Sequence, residues 1–470
     1  MNSKAGPLQY LLLFLPWLLS IIFIAVPTLS YLISWLGSFY IFFLTISGRI
    51  KAIPNDLSLG EQLMRPLFLN QIIFAGYMCC TSIFYFLDVM GYANFVAPAS
   101  NYSVDLYQLE LVAQCQRYYC LGHAAFVTGI LLFMKYPIEH TYSIEKRDIA
   151  NLLLTIALVT LPLSFVFRAV PGLSQFYNQL SSLSFIAGTL ALAFAIPMKK
   201  PGNTIICSIL YITNVSAALL SGFKEPIIIS VLVLGVFLYP YYKKAVLVIF
   251  IPVILILFML LPTYNRIFRE KAWSGEESSE AASELALDAA TAKAFSNEED
   301  DSNWGFLTGR LSEIGMFTQF VGSTPEKIDF YGLQLVEQSV TVIIPRIFWP
   351  EKPSTEELIM ERVYNAGVIN RLSIVSAKPP FVVDGYLSGG AFGVFLALFI
   401  YGAAAQLISL KAERLFGGYL LGTALIYSGL FQILWRGISF EFVTNAVFWS
   451  YISMLIIHKV FRSTGILKTV

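Results

Sequence analysis

Two cations in a proline-rich loop are the residues of this chain best suited to chemistry. The segment IIPRIFWPEKPS, residues 343 to 354, sets Arg346 and Lys352 on either side of Trp349 and among three prolines. Proline fixes its own φ and restricts the residue before it, so such a loop is stiff and its cations lose little entropy on binding. Guanidinium groups grip phosphate oxygens in bidentate fashion, and charge-assisted hydrogen bonds are about twice as strong as neutral ones. A lipid pyrophosphate is the natural ligand of such a pair. Where the diphosphate departs in a reaction, the same cations stabilise the charge that grows in the transition state.

Other cations stand close to apolar runs and belong to the same expected set. Arg168 ends one run, and Lys224 sits in SGFKEPIII beside Glu225. Arg310 opens the later half of a long polar segment, and Arg436 lies in ILWRGISFEF close to Glu441. If these converge with Arg346 and Lys352, they form one cationic pocket. Each also has a plainer reading: Arg168 and Lys224 snorkel to headgroups, and Arg436 pairs with Glu441. No metal site is expected. The five cysteines lie in or beside apolar runs and show no CxxC spacing, and no His/Asp cluster with ligand spacing stands out.

The elements that position these groups follow from composition. The chain has 470 residues, 57% hydrophobic and 13% charged, against roughly 25% charged in soluble domains. That marks an all-α polytopic membrane protein. The net charge of +1 gives no argument for nucleic acid. A bilayer core about 30 Å thick needs roughly 20 helical residues, and twelve apolar runs of suitable length are found, from Gln9–Val26 and Thr28–Ser47 through to Phe442–Ile457. The first is read as a retained span rather than a signal peptide, because it is long and a second run follows at once. Lys and Arg concentrate in alternate loops: Arg49 and Lys51, Lys135 with Lys146 and Arg147, Lys199 and Lys200, Lys243 and Lys244, Lys411 and Arg414, and the C-terminal tail. By the positive-inside rule this predicts about twelve spans with both termini inside and the first two runs forming a hairpin.

Three regions result: a bundle of nine spans over 1–261, a large outward loop over 262–385, and three spans over 386–470. Within the loop, residues 275–303 are acidic, Ser/Ala-rich and nearly free of large apolar groups, which predicts a disordered, mobile insert with at most transient helix. Residues 304–385 are expected to form an ordered cap. There, Ile314, Phe317 and Val321, and again Leu333, Val336, Val340 and Ile343, follow helical spacing and predict short amphipathic helices at the interface. No internal repeat of the kind many transporters carry is evident.

These residues resemble a known family. IIPRIFWPEKP, preceded by FYGLQL (330 to 335) and followed by GYLSGGAFGVF (385 to 395), is similar to the Wzy-type O-antigen or repeat-unit polymerases of bacteria, and SGFKEPIII looks like a turn between their middle helices. Asp384-Gly385-Tyr386 stands where that family shows a Glu-x-Tyr pattern. The resemblance implies a GT-C-like membrane glycosyltransferase of the bacterial inner membrane, acting on its periplasmic face. Such an enzyme transfers a growing glycan from polyprenyl pyrophosphate onto a new lipid-linked oligosaccharide unit, building O-antigen, capsule or exopolysaccharide. No cofactor is implied; a flippase and a chain-length regulator are candidate partners. On this reading Arg346 and Lys352 hold the leaving diphosphate, with Arg168, Lys224, Arg310 and Arg436 as further candidates. Asp384 is the candidate base and Glu313 the alternate; either instead orients an arginine. Trp349 and Tyr331 stack on sugar rings or anchor at the interface.

Two other classes remain open. An O-antigen-ligase-like transferase uses a histidine in its outer loop, whereas the histidines here, His123, His140 and His458, all fall outside the expected loop. A flippase or transporter needs charge lining a mid-membrane cavity, and Arg117 is the clearest charge within a run.

Overall fold

The computed structural model of the chain describes residues 6–58, 60–144, 149–170, 173, 175–222, 225–273, 276–294, 301–346, 348–373 and 376–469. The first nine helices are α1 (Leu8–Ile22), α2 (Pro27–Ile46), α3 (Leu69–Val89), α4 (Leu106–Phe133), α5 (Ile149–Ala169), α6 (Phe176–Ala195), α7 (Pro201–Leu219), α8 (Pro226–Leu238) and α9 (Lys243–Trp273). Five shorter helices follow: α10 (Ser279–Ala294), α11 (Asp301–Phe306), α12 (Ile314–Ser323), α13 (Gln334–Thr341) and α14 (Thr355–Asn365). The chain closes with α15 (Phe381–Leu415), α16 (Leu420–Leu430), α17 (Ile433–Arg436) and α18 (Phe440–Ser463). One antiparallel pair of dipeptides, β1 (Tyr142–Ser143) with β2 (Lys468–Thr469), ties the C-terminus to the connection after α4. Among the described residues, eight helices are long and apolar enough to cross a membrane: α2, α3, α5, α6, α7, α9, α15 and α18. α1, α8 and α16 are apolar but shorter. The protein is a multi-pass, membrane-embedded helical bundle.

Local chemistry sets the helix ends. Pro27 and Pro201 open α2 and α7, where a missing N–H costs nothing. Asp105 caps α4 by accepting from the Gln108 amide at 3.1 Å. Ser354 and Glu357 form a reciprocal capping box on α14. At the far end of α4, Lys51 Nζ donates to the Leu131 and Met134 carbonyls at 2.6 and 2.7 Å, satisfying acceptors the helix leaves open.

The core is built on the crossing of α4 and α15, one of the two most extensive helix pairs. Gly129 of α4 lies against the backbone of Phe399 and Ala403, and Gly402 of α15 lies against the backbone of Phe126. Small residues at both positions let the two backbones touch. α2 and α12 pack on other sides of α4. Arg117 in α4 is buried and donates to Ser30 Oγ at 2.9 Å.

α15 is not one rod. Gly389 and Gly390 leave helical geometry, Gly390 with a φ of 60°. The limb before this break folds back on the limb after it. The Phe381 ring stacks on Tyr401 with centroids 4.8 Å apart, and Gly385 meets Gly393 backbone to backbone. Residues 381–388 are therefore a short re-entrant limb, and the expected boundary at 385/386 falls inside it. Opposite it the chain is broken again between α16 and α18: Gly437 takes a left-handed φ of 57°, its carbonyl accepts from the Phe381 amide at 2.6 Å, and Ile438 bridges Pro380. Non-helical backbone among spanning helices is tolerated where protein covers its polar groups, and here the start of the re-entrant limb, Pro380–Phe381, covers the break at Gly437.

One expectation about the 262–385 region changes. Residues 279–294, expected to be disordered, form α10. Ala282, Ala286 and Ala290 recur every four residues and pack on Tyr264 and Phe268 of α9, and Tyr264 Oη meets Ser283 Oγ at 2.8 Å. Alanine is the best helix former and needs no large side chain to bring backbones together. Residues 275 and 295–300 lie outside the described residues. α12 forms with Ile314, Phe317 and Val321 buried, as the spacing implies. α13 also forms, burying Leu335 and Ser339 and turning Leu333, Val336 and Val340 outward.

Candidate functional site

A buried ionic cluster sits where the two broken segments meet. Arg362, on α14, donates from Nη1 to Glu441 Oε1 at 2.7 Å. Its Nη2 donates to Glu441 Oε2 at 2.8 Å and to Asp384 Oδ2 at 2.9 Å. Asp384 comes from the re-entrant limb of α15 and also accepts from the Phe440 amide at 2.8 Å, so it caps α18. Glu441 is in the first turn of that helix. Both carboxylates thus sit at a helix N-terminus, where its partial positive charge favours them. Asp384 and Glu441 are fully buried and Arg362 nearly so. The two carboxylates hold the Arg362 guanidinium well above its ordinary pKa against the cost of burial. Asp384 Oδ1 and Arg362 Nε have no protein partner.

Arg362 also lines a pocket of about 330 Å³ between α13 and α14. Tyr331, Gln334, Leu335 and Gln338 form one wall, and Glu357, Leu358, Glu361 and Asn365 the other. That volume lies in the range of small-molecule sites, about 300–1,000 Å³. Glu361 is held by Arg371 at 2.7 Å, whereas Glu357 has only its capping role among the described residues. Tyr331 is half-buried, its amide tied to the Leu387 carbonyl at 2.9 Å, and burial raises its phenol pKa.

The proline loop leaves the far end of α13. Lys352 Nζ donates to the Val342 and Ile344 carbonyls at 2.9 and 2.7 Å, closing the loop into a ring. Partial burial and nearby Arg346 push its pKa down. Arg346 is exposed, with one long contact of 3.4 Å to the Pro350 carbonyl. Trp349 stands half-open beside it.

The described residues do not bring the expected cations into one crowd. Arg346 and Lys352 share a loop, but the Lys352 ammonium is spent on backbone carbonyls. Arg168 is exposed and stacks on Tyr177 at 5.2 Å, within its own helical hairpin. Arg310 lies in a π-helical turn and Arg436 ends α17, with their side chains outside the described residues, as is all of Lys224. Glu313 starts α12 in a left-handed conformation, φ 54°, and accepts from Tyr77 Oη at 3.5 Å. Asp384 sits against Arg362 rather than against any expected cation. Among the described residues no group of three or more His, Cys, Asp or Glu is placed to hold a metal ion.

Sequence reasoning missed Arg362 and treated Glu441 only as a partner for Arg436. The signal was present: Arg362 shares the buried face of α14 with Ile359, Met360 and Val363. A second network was also missed. Arg65 binds Asp56 at 2.6 Å and Glu413 at 3.2 Å and lies 3.7 Å over the Tyr136 ring. Glu413 is near the far end of α15; because residues 381–388 fold back to the level of Ala397–Tyr401, it stands roughly 20–25 Å from Asp384 along the helix axis at about 1.5 Å per residue. Arg65 depresses the Asp56 pKa.

Fold and site together define a polytopic helical membrane protein with a polar pocket at one end of the bundle, floored by a buried arginine–dicarboxylate cluster. Nothing among the curated proteins and nothing among the solved structures matches the chain. The chain belongs to the family described as Domain of unknown function (DUF8712), whose family model matches residues 15–469.

Proposed function

We propose that the protein is a glycan polymerase that joins oligosaccharide units carried on polyprenyl pyrophosphate, at the periplasmic face of the bacterial inner membrane. The observation that carries the reading is the adjacency of two unlike sites on α13. Its polar flank walls the pocket, and its C-terminal end runs into the stiff loop that presents Arg346. The pocket holds Glu357 and Glu361 among amides, and its arginine is already neutralised by two carboxylates. A diphosphate is repelled there, and a neutral, hydroxyl-rich acceptor is matched. The donor diphosphate goes to Arg346, on the loop that the Lys352 ammonium holds closed.

In the reaction an acceptor hydroxyl attacks the anomeric carbon of the donor glycan. The new glycosidic bond forms as the carbon–oxygen bond to pyrophosphate breaks, and the pyrophosphate leaves with the bonding electrons. The hydroxyl proton passes to a pocket carboxylate, for which Glu357 is the group no arginine holds. Asp384 acts by orienting Arg362, the second of its two expected roles. The lysine and arginine alternation supports about twelve spans with both termini inside, the eight span-length helices being joined by α1, α4, α8 and α16.

The test is the surface glycan of a strain lacking the gene. Single repeat units in place of a ladder are expected, and Arg346→Ala should leave ladder synthesis reduced at least tenfold although the protein reaches the membrane. Full rescue by that variant excludes an essential Arg346. Transport of a labelled lipid-linked unit across proteoliposomes, without lengthening of glycan, replaces the reading with a flippase.

A further inference from the structure

α13 shows an outward stripe that protein does not cover. Leu333 is 72% exposed, Val336 and Val340 are also exposed, and the following loop continues the stripe with Ile344 and with Phe348 at 80%. Val336 and Val340, four residues apart, share one face of α13, and Leu333 at its N-cap lies three residues before Val336 on the same side. Scattered exposed apolar residues mean little, but a contiguous row of large ones marks an interaction surface.

We infer that the stretch from Leu333 to Arg346, together with Phe348 and Trp349, is a membrane-dipping element, seated in the boundary between headgroups and acyl chains beside the spanning helices. Three observations choose the bilayer as its occupant. The stripe is continuous with a span: Trp449 of α18 donates from its indole nitrogen to the Ile343 carbonyl at 3.1 Å, and the neighbouring Phe448 is exposed on the same helix. Its level is that of a helix end, because Trp449 also meets Phe176, the first residue of α6, edge to face at 5.2 Å. The charge fits as well. Arg346 projects from the stripe between Ile344 and Phe348, where lipid phosphates lie, and Trp349 is the residue type that favours this layer. Glu337 flanks the stripe on the rim, exposed. The opposite flank of α13, with Gln334 and Gln338, faces the pocket. The lip of the pocket therefore rests on the membrane surface. This inference holds whichever reaction the pocket serves.

The test uses full-length protein in nanodiscs of phosphatidylcholine and phosphatidylglycerol. Four of the five native cysteines are buried, and the fifth, Cys80, is partly so and is replaced by serine. Cysteines are then introduced singly as Val340→Cys and Phe348→Cys, with Glu326→Cys as an exposed control, and each carries a fluorescent label. At 340 and 348, a spin label high on the lipid acyl chain should quench at least threefold more than aqueous iodide, with the reverse order at 326. Stronger quenching by iodide at both 340 and 348 overturns the inference. A second measurement needs no substitution: a phospholipid with a diazirine high on its acyl chain is photolysed with the unmodified protein. Adducts within 333–349 are expected, and adducts confined to the spanning helices sink the idea. Neither readout depends on glycan synthesis, so a failed ladder experiment leaves this one standing and the converse.

Discussion

Replacing Arg362 by alanine is expected to cost about 3–5 kcal/mol, the usual penalty for removing one partner of a buried ion pair. The reason is the company it leaves. Asp384 and Glu441 both hydrogen-bond this one guanidinium and neither is exposed. Without Arg362 two carboxylates share a dry site, and one must take up a proton or the junction must open to water. The junction also holds the re-entrant limb of α15 against the start of α18, so the loss spreads to two spans. The measurement is the heat-induced loss of monodisperse protein on size exclusion. Arg362→Ala should move the transition sharply down, Arg362→Lys less. The combination Arg362→Met, Asp384→Asn and Glu441→Gln should recover much of the loss, since apolar or neutral replacement of a whole buried cluster is often near neutral. An Arg362→Ala protein that melts with the parent would show that the cluster does not hold the junction.

The legible part of this fold was the part written in local periodicity. Apolar runs locate the long helices, and Ile314, Phe317 and Val321 announce α12 and its buried face. The same rule gives α13 as an amphipathic helix, and its assignment to the interface rests on the neighbouring spans rather than on spacing. A stripe at helical spacing shows that one side is apolar, and water, protein and lipid are not distinguished by spacing. α10 escapes this rule because order there needs no large apolar groups: Ala282, Ala286 and Ala290 achieve contact by being small. The ionic cluster was hidden for a different reason. Arg362 and Glu441 are 79 residues apart, and no local pattern pairs them until the turn at Gly389–Gly390 and the break at Gly437 fold both segments to one point. Glycines in GYLSGGAFGVF were visible, but a helix break and a tight helix crossing leave the same mark in sequence.

The second large effect is expected at the α4–α15 crossing. A Cβ added at Gly402 would lie 2.0 Å from the Phe126 carbonyl oxygen, and one at Gly129 would lie 2.2 Å from the Phe399 oxygen and 2.8 Å from the Ala403 nitrogen. Overpacking ordinarily costs about 1–3 kcal/mol because a side chain turns aside or a neighbour shifts. Here the obstacle is main chain on both sides, so no rotamer relieves it and the helices must separate. Gly402→Ala is therefore expected at the upper end of that range and Gly402→Leu beyond it, above about 3 kcal/mol. The displacement is also transmitted. α15 carries Asp384 before its break and Glu413 near its far end, so moving it strains both ionic clusters at once. Gly202 is the control: nothing lies within 4 Å of its added Cβ and it sits in the first turn of α7. Gly202→Ala should be neutral or gain up to about 1 kcal/mol. Side-by-side heat transitions of the three variants separate a packing penalty from a generic glycine effect, and equal behaviour of Gly402→Ala and Gly202→Ala would remove close backbone contact as the basis of this crossing.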